Sequence, residues 1–198
     1  MWFVWLFKLT ACLPLRIFFR IKVLGKENKP KGHCILALNH GAAMDGTLVN
    51  SIFPLRRIYV LTSPKFFECS RLHRWELWQM GCRPSISPSE DIETMTDIAN
   101  NLKRKDMIAF FSEGKIHNSV GDFMGGAVML ALRTGLPLIP VYLKTAPFYK
   151  GGTQISFGKP MDIEVKEYPT AKDVEDLNNT LRSEVIKLSE TRWKSKTK

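Results

Sequence analysis

Apolar and polar positions change in blocks along this chain, and the blocks predict an alternation of strands and helices. "HCILAL" (33–38) is a short, nearly unbroken apolar run and predicts a buried strand. Residues 46–53 predict a short helix, and "RRIYVL" (56–61) a second strand. "RLHRWELWQM" (71–80) predicts a helix. "SEDIETMTDIANNLKRK" (89–105) predicts another, with Ser89 as N-cap, acids early and bases late, as the helix dipole favours. "MIAFFS" (107–112) predicts a buried strand, and "FMGGAVMLALRT" (123–134) a helix that Gly135 ends. "LPLIPVYL" and "TQISFG" predict two more strands. A last helix starts at Thr170, where Asp173 completes a capping box, and Val174, Leu177, Leu181, Val185 and Leu188 line one face of it. Apolar strands alternating with helices predict an α/β fold: a single domain with a mostly buried central mixed sheet flanked by helices.

The first 26 residues have a different pattern. They are rich in Trp, Phe and Leu, carry Lys8, Arg16, Arg20, Lys22 and Lys26, and hold no acid. The longest uncharged runs are seven residues, far short of the ~20 needed to span a bilayer. A secretory signal is not expected, because the positive charge follows the apolar start. Aromatics mixed with bases, with apolar residues around most of the circumference, predict a helical segment lying in the headgroup layer, divided at Pro14. A helix packed on the domain core is the alternative. The organisation expected is a membrane-interfacial segment over 1–26 and one domain over 27–198.

Chemistry concentrates where apolar runs stop. The strand at 33–38 gives way to Asn39, His40, three small residues, Met44 and Asp45. In α/β proteins the loop at the carboxyl end of a strand is where ligands bind. A turn between them lets Asp45 fold back on His40. A carboxylate on one imidazole nitrogen fixes the tautomer and raises the basicity of the other, which makes a general base for a hydroxyl. A lone His-x4-Asp is more often a structural hydrogen bond, so context decides. The strand at 107–112 also stops in a small polar cluster, Glu113, Gly114 and Lys115. A phosphate-binding P-loop is excluded, because Ala109 stands at the first glycine position and Ile116 at the Ser/Thr position. A carboxylate at Glu113 suits holding substrate hydroxyls.

Composition narrows the partners. The 198 residues are 44% hydrophobic and 24% charged, ordinary for a globular domain, but 29 Lys and Arg against 19 Asp and Glu leave a net charge of +10. That surplus calls for an anionic partner. No nucleic-acid motif accompanies it, and much of the charge stands beside Trp and Phe, so a lipid surface is favoured over nucleic acid. Cys12, Cys34, Cys69 and Cys82 have no metal-ligand spacing and read as reduced core thiols. His33, His73 and His117 have no partner at ligand spacing, so no metal site is expected. Trp75, Trp78 and the Phe66–Phe67 pair suit core or membrane-facing packing, or the lining of an acyl channel.

The ordered set resembles the glycerolipid acyltransferase family that includes the 1-acylglycerol-3-phosphate acyltransferases, the HX4D type. Asn39, His40 and Asp45 match its NHxxxxD motif; Phe111, Glu113 and Gly114 match part of FPEGTRS; Phe123, Gly126 and Ala127 match the next block; Pro137, Pro140 and Val141 match PxxPV. The resemblance runs from about Lys31 to Gly158. Ser112 stands in the place of Pro, Lys115 of Thr, Ile116 of Arg and Met124 of Lys, and the block "MGCRPSISPSED" lacks the arginine expected near Ser87. Arg83 is the only base there. In the family those bases resemble a clamp for the acceptor's phosphate, and here Lys115, Arg83 and His117 are the candidates to compensate in part. For Arg83 a solvated charge is an equal alternative.

The resemblance implies acyl transfer from an acyl thioester, either acyl-CoA or an acyl-carrier protein, to a lysolipid hydroxyl. His40 and Asp45 would be catalytic; Asn39, Glu113, Gly114, Lys115 and Arg83 would bind substrate. Backbone N–H groups near Gly41 or Gly114 would hold the oxyanion. Neither cofactor nor metal is implied. The expected acceptor is 1-acylglycerol-3-phosphate, with another head group as the alternative. The expected location is the cytoplasmic face of a cell inner membrane. Two other classes remain open: a catalytically weak lipid-binding relative, motivated by the altered clamp, and a nucleic-acid-binding protein, motivated by charge alone.

Overall fold

A computed structural model describes residues 10, 13–68, 70–103, 105–113 and 120–191. Seven strands form one mixed sheet. They are β1 (Lys22–Leu24), β2 (Cys34–Leu38), β3 (Ile58–Thr62), β4 (Cys82–Pro84), β5 (Met107–Phe111), β6 (Leu138–Lys144) and β7 (Gln154–Phe157), in the order β1-β7-β6-β2-β5-β3-β4. β6, β2, β5, β3 and β4 run parallel; β7 is antiparallel to β6, and β1 is parallel to β7. The helices are α1 (Asp45–Ile52), α2 (Arg71–Met80), α3 (Pro88–Asn100), α4 (Gly126–Thr134) and α5 (Ala171–Glu190).

The apolar runs read as strands are buried on both faces, as parallel strands must be. All five residues of β2 are buried. Ile35 and Ala37 point into a core with Met95 of α3, Val128 and Ala131 of α4, and Leu181 and Val185 of α5. Cys34, Leu36 and Leu38 point the other way, onto Val49 and Ile52 of α1 and Phe53. Each fully buried Leu contributes about 1.5–3 kcal/mol relative to exposure. Burial also pushes the Cys34 thiol up to about 12, so it stays protonated core filler. Cys12 and Cys69 lie outside the described residues.

This topology positions the site. β2 and β5 are neighbours in register, Cys34 beside Met107 through Leu38 beside Phe111. After β2 the chain crosses one face through α1 to β3; after β5 it crosses the other face through α4 to β6. Adjacent strands whose connections leave on opposite faces open a crevice at their carboxyl ends. Asn39–His40 and Ser112–Glu113 therefore emerge side by side, although 73 positions separate His40 from Glu113.

Three local expectations change. The cap of α3 is Ser87, whose hydroxyl accepts from the Glu90 N–H, and Pro88 fills the first helical position. Ser89 lies inside the helix, because proline's fixed φ suits the first turn and sets the start. α3 ends at Asn100 rather than 105. β1 and β4 were not anticipated: at three residues each they are too short to show a period. β1 lies within the stretch 1–26 and pairs with β7. The capping box of Thr170 and Asp173 is present, and Asp173, bonded by Lys166 and Thr170, is held well below the usual carboxylate range.

Of the N-terminal segment, residues 1–9, 11 and 12 lie outside the described residues. Residues 13–18 are helical, with Leu13, Ile17 and Phe18 exposed. Phe18 touches Phe148, ring centroids 5.8 Å apart, in the 3-10 turn Phe148–Lys150 after β6. Among the described residues, no helix is long and apolar enough to cross a membrane.

Candidate active site

The loop after β2 builds the pair. Asp45 is the first residue of α1, and its N–H bonds the Ala42 carbonyl at 3.0 Å, closing a turn over 42–45. That turn brings Asp45 Oδ2 to 3.0 Å from His40 Nδ1. The same oxygen accepts the N–H groups of Gly41 at 2.8 Å and Ala42 at 2.9 Å. The other oxygen accepts the Thr145 hydroxyl. Asp45 is completely buried. A buried carboxylate is tolerated only when its lone pairs are met, and here four donors meet them at the positive end of a helix. His40 is left with one free nitrogen, Nε2, on a side chain 22% exposed. Its ring lies against Phe111 at a centroid separation of 4.5 Å.

The loop after β5 holds the His40 backbone. Glu113 is buried. Its Oε2 accepts the His40 N–H at 3.2 Å, and its Oε1 accepts the Gly121 N–H at 2.9 Å. Glu113 was expected to hold substrate hydroxyls; in the structure each oxygen accepts a backbone donor, which makes it a strut between two loops. Asn39 is likewise committed. Its Nδ2 donates to the Leu143 carbonyl at 2.9 Å and its Oδ1 accepts the Leu143 N–H at 2.7 Å. Those bonds extend the β2–β6 ladder by a side chain and bring the end of β6 to the site. The Gly41 N–H, expected at the oxyanion, is spent on Asp45. Gly114, Lys115 and His117 lie outside the described residues.

Arg83 stands elsewhere. It is on β4, three strand positions from β2, which puts it about 14 Å away by strand spacing alone. Its guanidinium stacks on Trp78, 4.3 Å from the ring centroid, and lies 5.3 Å from that of Tyr59. Nη1 donates to the Cys82 carbonyl at 2.8 Å. Burial pulls its pKa down, partly offset by Tyr59. Ser87, near where the family pattern calls for an arginine, caps α3. The structure thus gathers Asn39, His40, Asp45 and Glu113 and leaves Arg83 apart.

Two residues at this site escaped the sequence reading. Thr145 lies just past the end of β6 and bonds Asp45. Tyr142 is half-buried on β6; burial, and then the charge of Glu113, raise its phenol, so it stays a neutral donor. Their signal was position alone: β6 neighbours β2, so residues at its carboxyl end reach the same edge.

Over 142 residues the chain is 25% identical to the chloroplastic 1-acyl-sn-glycerol-3-phosphate acyltransferase BAT2 of Brassica napus, covering 69% of this chain and 40% of that one. It is 24% identical to the chloroplastic LPAT1 of Arabidopsis thaliana, covering 69% and 39%. The chain spans about two fifths of the length of these relatives. The crystal structure of PlsC, the 1-acyl-sn-glycerophosphate (LPA) acyltransferase of Thermotoga maritima, superposes with a TM-score of 0.63 at 18% identity, over 97% of this chain and 80% of that one, and so shares the fold. The family model named Acyltransferase matches residues 20–144, from just before β1 to the end of β6. The chain that carries the His40–Asp45 pair therefore belongs to the acyltransferase family.

Proposed function

We propose that the chain is a membrane-associated O-acyltransferase that moves a fatty acyl group from an acyl thioester to a lysolipid hydroxyl. The observation that carries this is His40 held through Nδ1 by a buried, fully bonded Asp45, with Nε2 left to take a proton. Nε2 accepts the proton of the acceptor hydroxyl as its oxygen attacks the thioester carbonyl carbon. Asp45 stabilises the imidazolium that forms. The tetrahedral intermediate collapses, the C–S bond breaks, and the thiolate takes the proton from His40. The products are the acylated lipid and a free thiol. No protein nucleophile is acylated.

The donor is acyl-CoA or an acyl-carrier protein. The acceptor is 1-acylglycerol-3-phosphate, a reading supported by the names of the relatives. The excess of base over acid, the aromatic and basic composition of residues 1–26 and the exposed apolar side chains support peripheral or monotopic attachment to an anionic membrane surface, at the cytoplasmic face of an inner membrane. No nucleic-acid partner is proposed.

The test is transfer of labelled acyl groups from acyl-CoA and from acyl-carrier protein to lysolipids with phosphate, ethanolamine, glycerol and choline head groups, in detergent. Product that vanishes with His40→Ala supports the reading. Folded wild-type protein that binds vesicles but acylates no acceptor from either donor overturns it in favour of a lipid-binding relative.

A further inference from the structure

α2 is the least buried of the five helices α1–α5. None of its ten residues is buried, whereas five of the nine in α4 are. It packs on β4 and on the 3-10 turn Pro64–Phe67. At 100° per residue, Arg71, Arg74, Trp75 and Trp78 fall on one face, and all four are exposed. Leu72, 67% exposed, and Phe66 of the turn, 54% exposed, border it. A short helix that leaves tryptophans and arginines together in water is not completing a core.

Its place in the fold says what covers it. The turn at 64–67 follows the carboxyl end of β3, which is parallel to β5 and β2. The apolar turn at 148–150, with Phe148 and Tyr149 exposed against Phe18, follows the carboxyl end of β6. Both groups lie on the sheet edge that holds His40, on opposite sides of it. From β7 to β4 that edge is about 25 Å wide. A surface that touches both ends must be broad and flat, and it then roofs the catalytic pair. Charge is distributed the same way. Residues 1–26 carry a net +5, and residues 56–83, with six bases and two acids, carry +4, so these two stretches hold nine of the ten net charges. Bases beside interfacial aromatics suit an anionic lipid surface, and tryptophan favours the interfacial layer.

We infer that α2 and the turn before it are a second membrane-docking element, independent of the N-terminal segment, which lays the His40 edge of the sheet against an anionic lipid monolayer. This rests on the membrane-associated reading above. Two-point contact fixes the tilt of the domain, so that a lysolipid hydroxyl at the interface meets Nε2 without leaving the membrane.

The experiment uses the full chain with Trp2, Trp5, Trp78 and Trp193 replaced by Phe, leaving Trp75 as the reporter. It is mixed with phosphatidylglycerol–phosphatidylethanolamine vesicles, with and without acyl chains brominated near the headgroup. A blue shift and bromine quenching of Trp75 are expected. In the otherwise native chain, Arg71→Gln with Arg74→Gln should weaken partition onto these vesicles roughly thirtyfold at low salt. Leu72→Asp with Trp75→Asp should weaken it at least as much, with unchanged circular dichroism. Native protein that pellets with vesicles while Trp75 stays unquenched and the variants bind normally overturns this inference and leaves the membrane reading standing. Native protein that does not pellet overturns both. Trp75 that responds to an acidic acyl-carrier protein and not to vesicles overturns it in favour of a protein partner.

Discussion

Two parts of one sheet edge are built in opposite ways. At the ends of β2 and β5, three buried polar side chains are met, Asp45 by four donors, Glu113 by two backbone N–H groups and Asn39 by both polar groups of Leu143, while the buried Ser112 hydroxyl has no partner among the described residues. At the ends of β3 and β4, aromatic and basic side chains stand in the open, and the half-buried Arg83 is occupied by Trp78 and Tyr59. The first region holds a proton acceptor in one orientation, which chemistry demands. The second presents a surface. The motif matches divide along the same line. NHxxxxD is intact in the first region, whereas the block around Arg83 lacks its arginine.

The sharpest way to break this contrast is to remove the base. His40→Ala should lower kcat by about 10²–10⁴, because general-base catalysis is of that size. Asp45→Asn should cost a similar factor by releasing the imidazole tautomer. It should also destabilise the fold by about 2 kcal/mol, since an amide nitrogen would face donors inside a buried site. Single-turnover acyl transfer together with thermal melts separates the two effects. If Asp45→Asn keeps most of the activity, the buried carboxylate is structural and the region loses its claim to chemistry.

Glu113→Gln tests the strut with a smaller expected effect. One amide oxygen cannot accept from both His40 and Gly121, so one buried N–H loses its partner, at about 1–3 kcal/mol. We expect a kcat loss of roughly tenfold through the displaced His40 loop, with KM for the lysolipid nearly unchanged. A rise in KM at constant kcat would return Glu113 to the substrate-binding role read from the sequence. Thr145→Val should be milder still: about threefold in kcat and about 1 kcal/mol in stability, with Thr145→Ser restoring both. No rescue by Ser would mean that the methyl group matters more than the bond to Asp45.

Much of the first region was legible in the sequence because its signals are local. The apolar run of β2 ends at Asn39, and a turn of four residues suffices to return Asp45 to His40, so both position and pairing followed from spacing. The α/β alternation was legible for the same reason: β2, β5 and β6 are continuous apolar runs and α5 keeps a clean period. What was not legible depends on register. Nothing in the chain before Leu38 says that Phe111 will lie beside it, so the bond from His40 N–H to Glu113 was out of reach and a carboxylate near a strand end was assigned to substrate. Thr145 was missed for the same reason. The cap of α3 was misplaced by two residues because Ser87 and Ser89 flank Pro88, and only the proline's preference for the first turn tells them apart. β1 and β4 were missed because three residues carry no period, and both are held by their neighbours rather than by their own pattern.

Arg83 gives the smallest expected effect and tests the second region directly. Its guanidinium is half-buried, stacked on Trp78 and bonded to a backbone carbonyl of its own strand. It also stands about 14 Å along the sheet from the strand that carries His40. An acceptor whose hydroxyl meets Nε2 keeps its phosphate within a few bonds of that hydroxyl, well short of β4. We therefore expect Arg83→Gln to cost about 1 kcal/mol through the lost stack, a fall of about 2–4 °C in Tm, and to change KM by less than about threefold for any lysolipid. Arg83→Lys should fare nearly as badly in stability, because an ammonium cannot reproduce the planar stack. The discriminating measurement is KM for a phosphate head group beside KM for a choline head group in the same variant. A selective rise for the phosphate acceptor would place the head group on β4 and make the open rim part of the substrate site. Equal, small changes would leave it as a surface and move the search for the phosphate contact to the loop that carries Lys115.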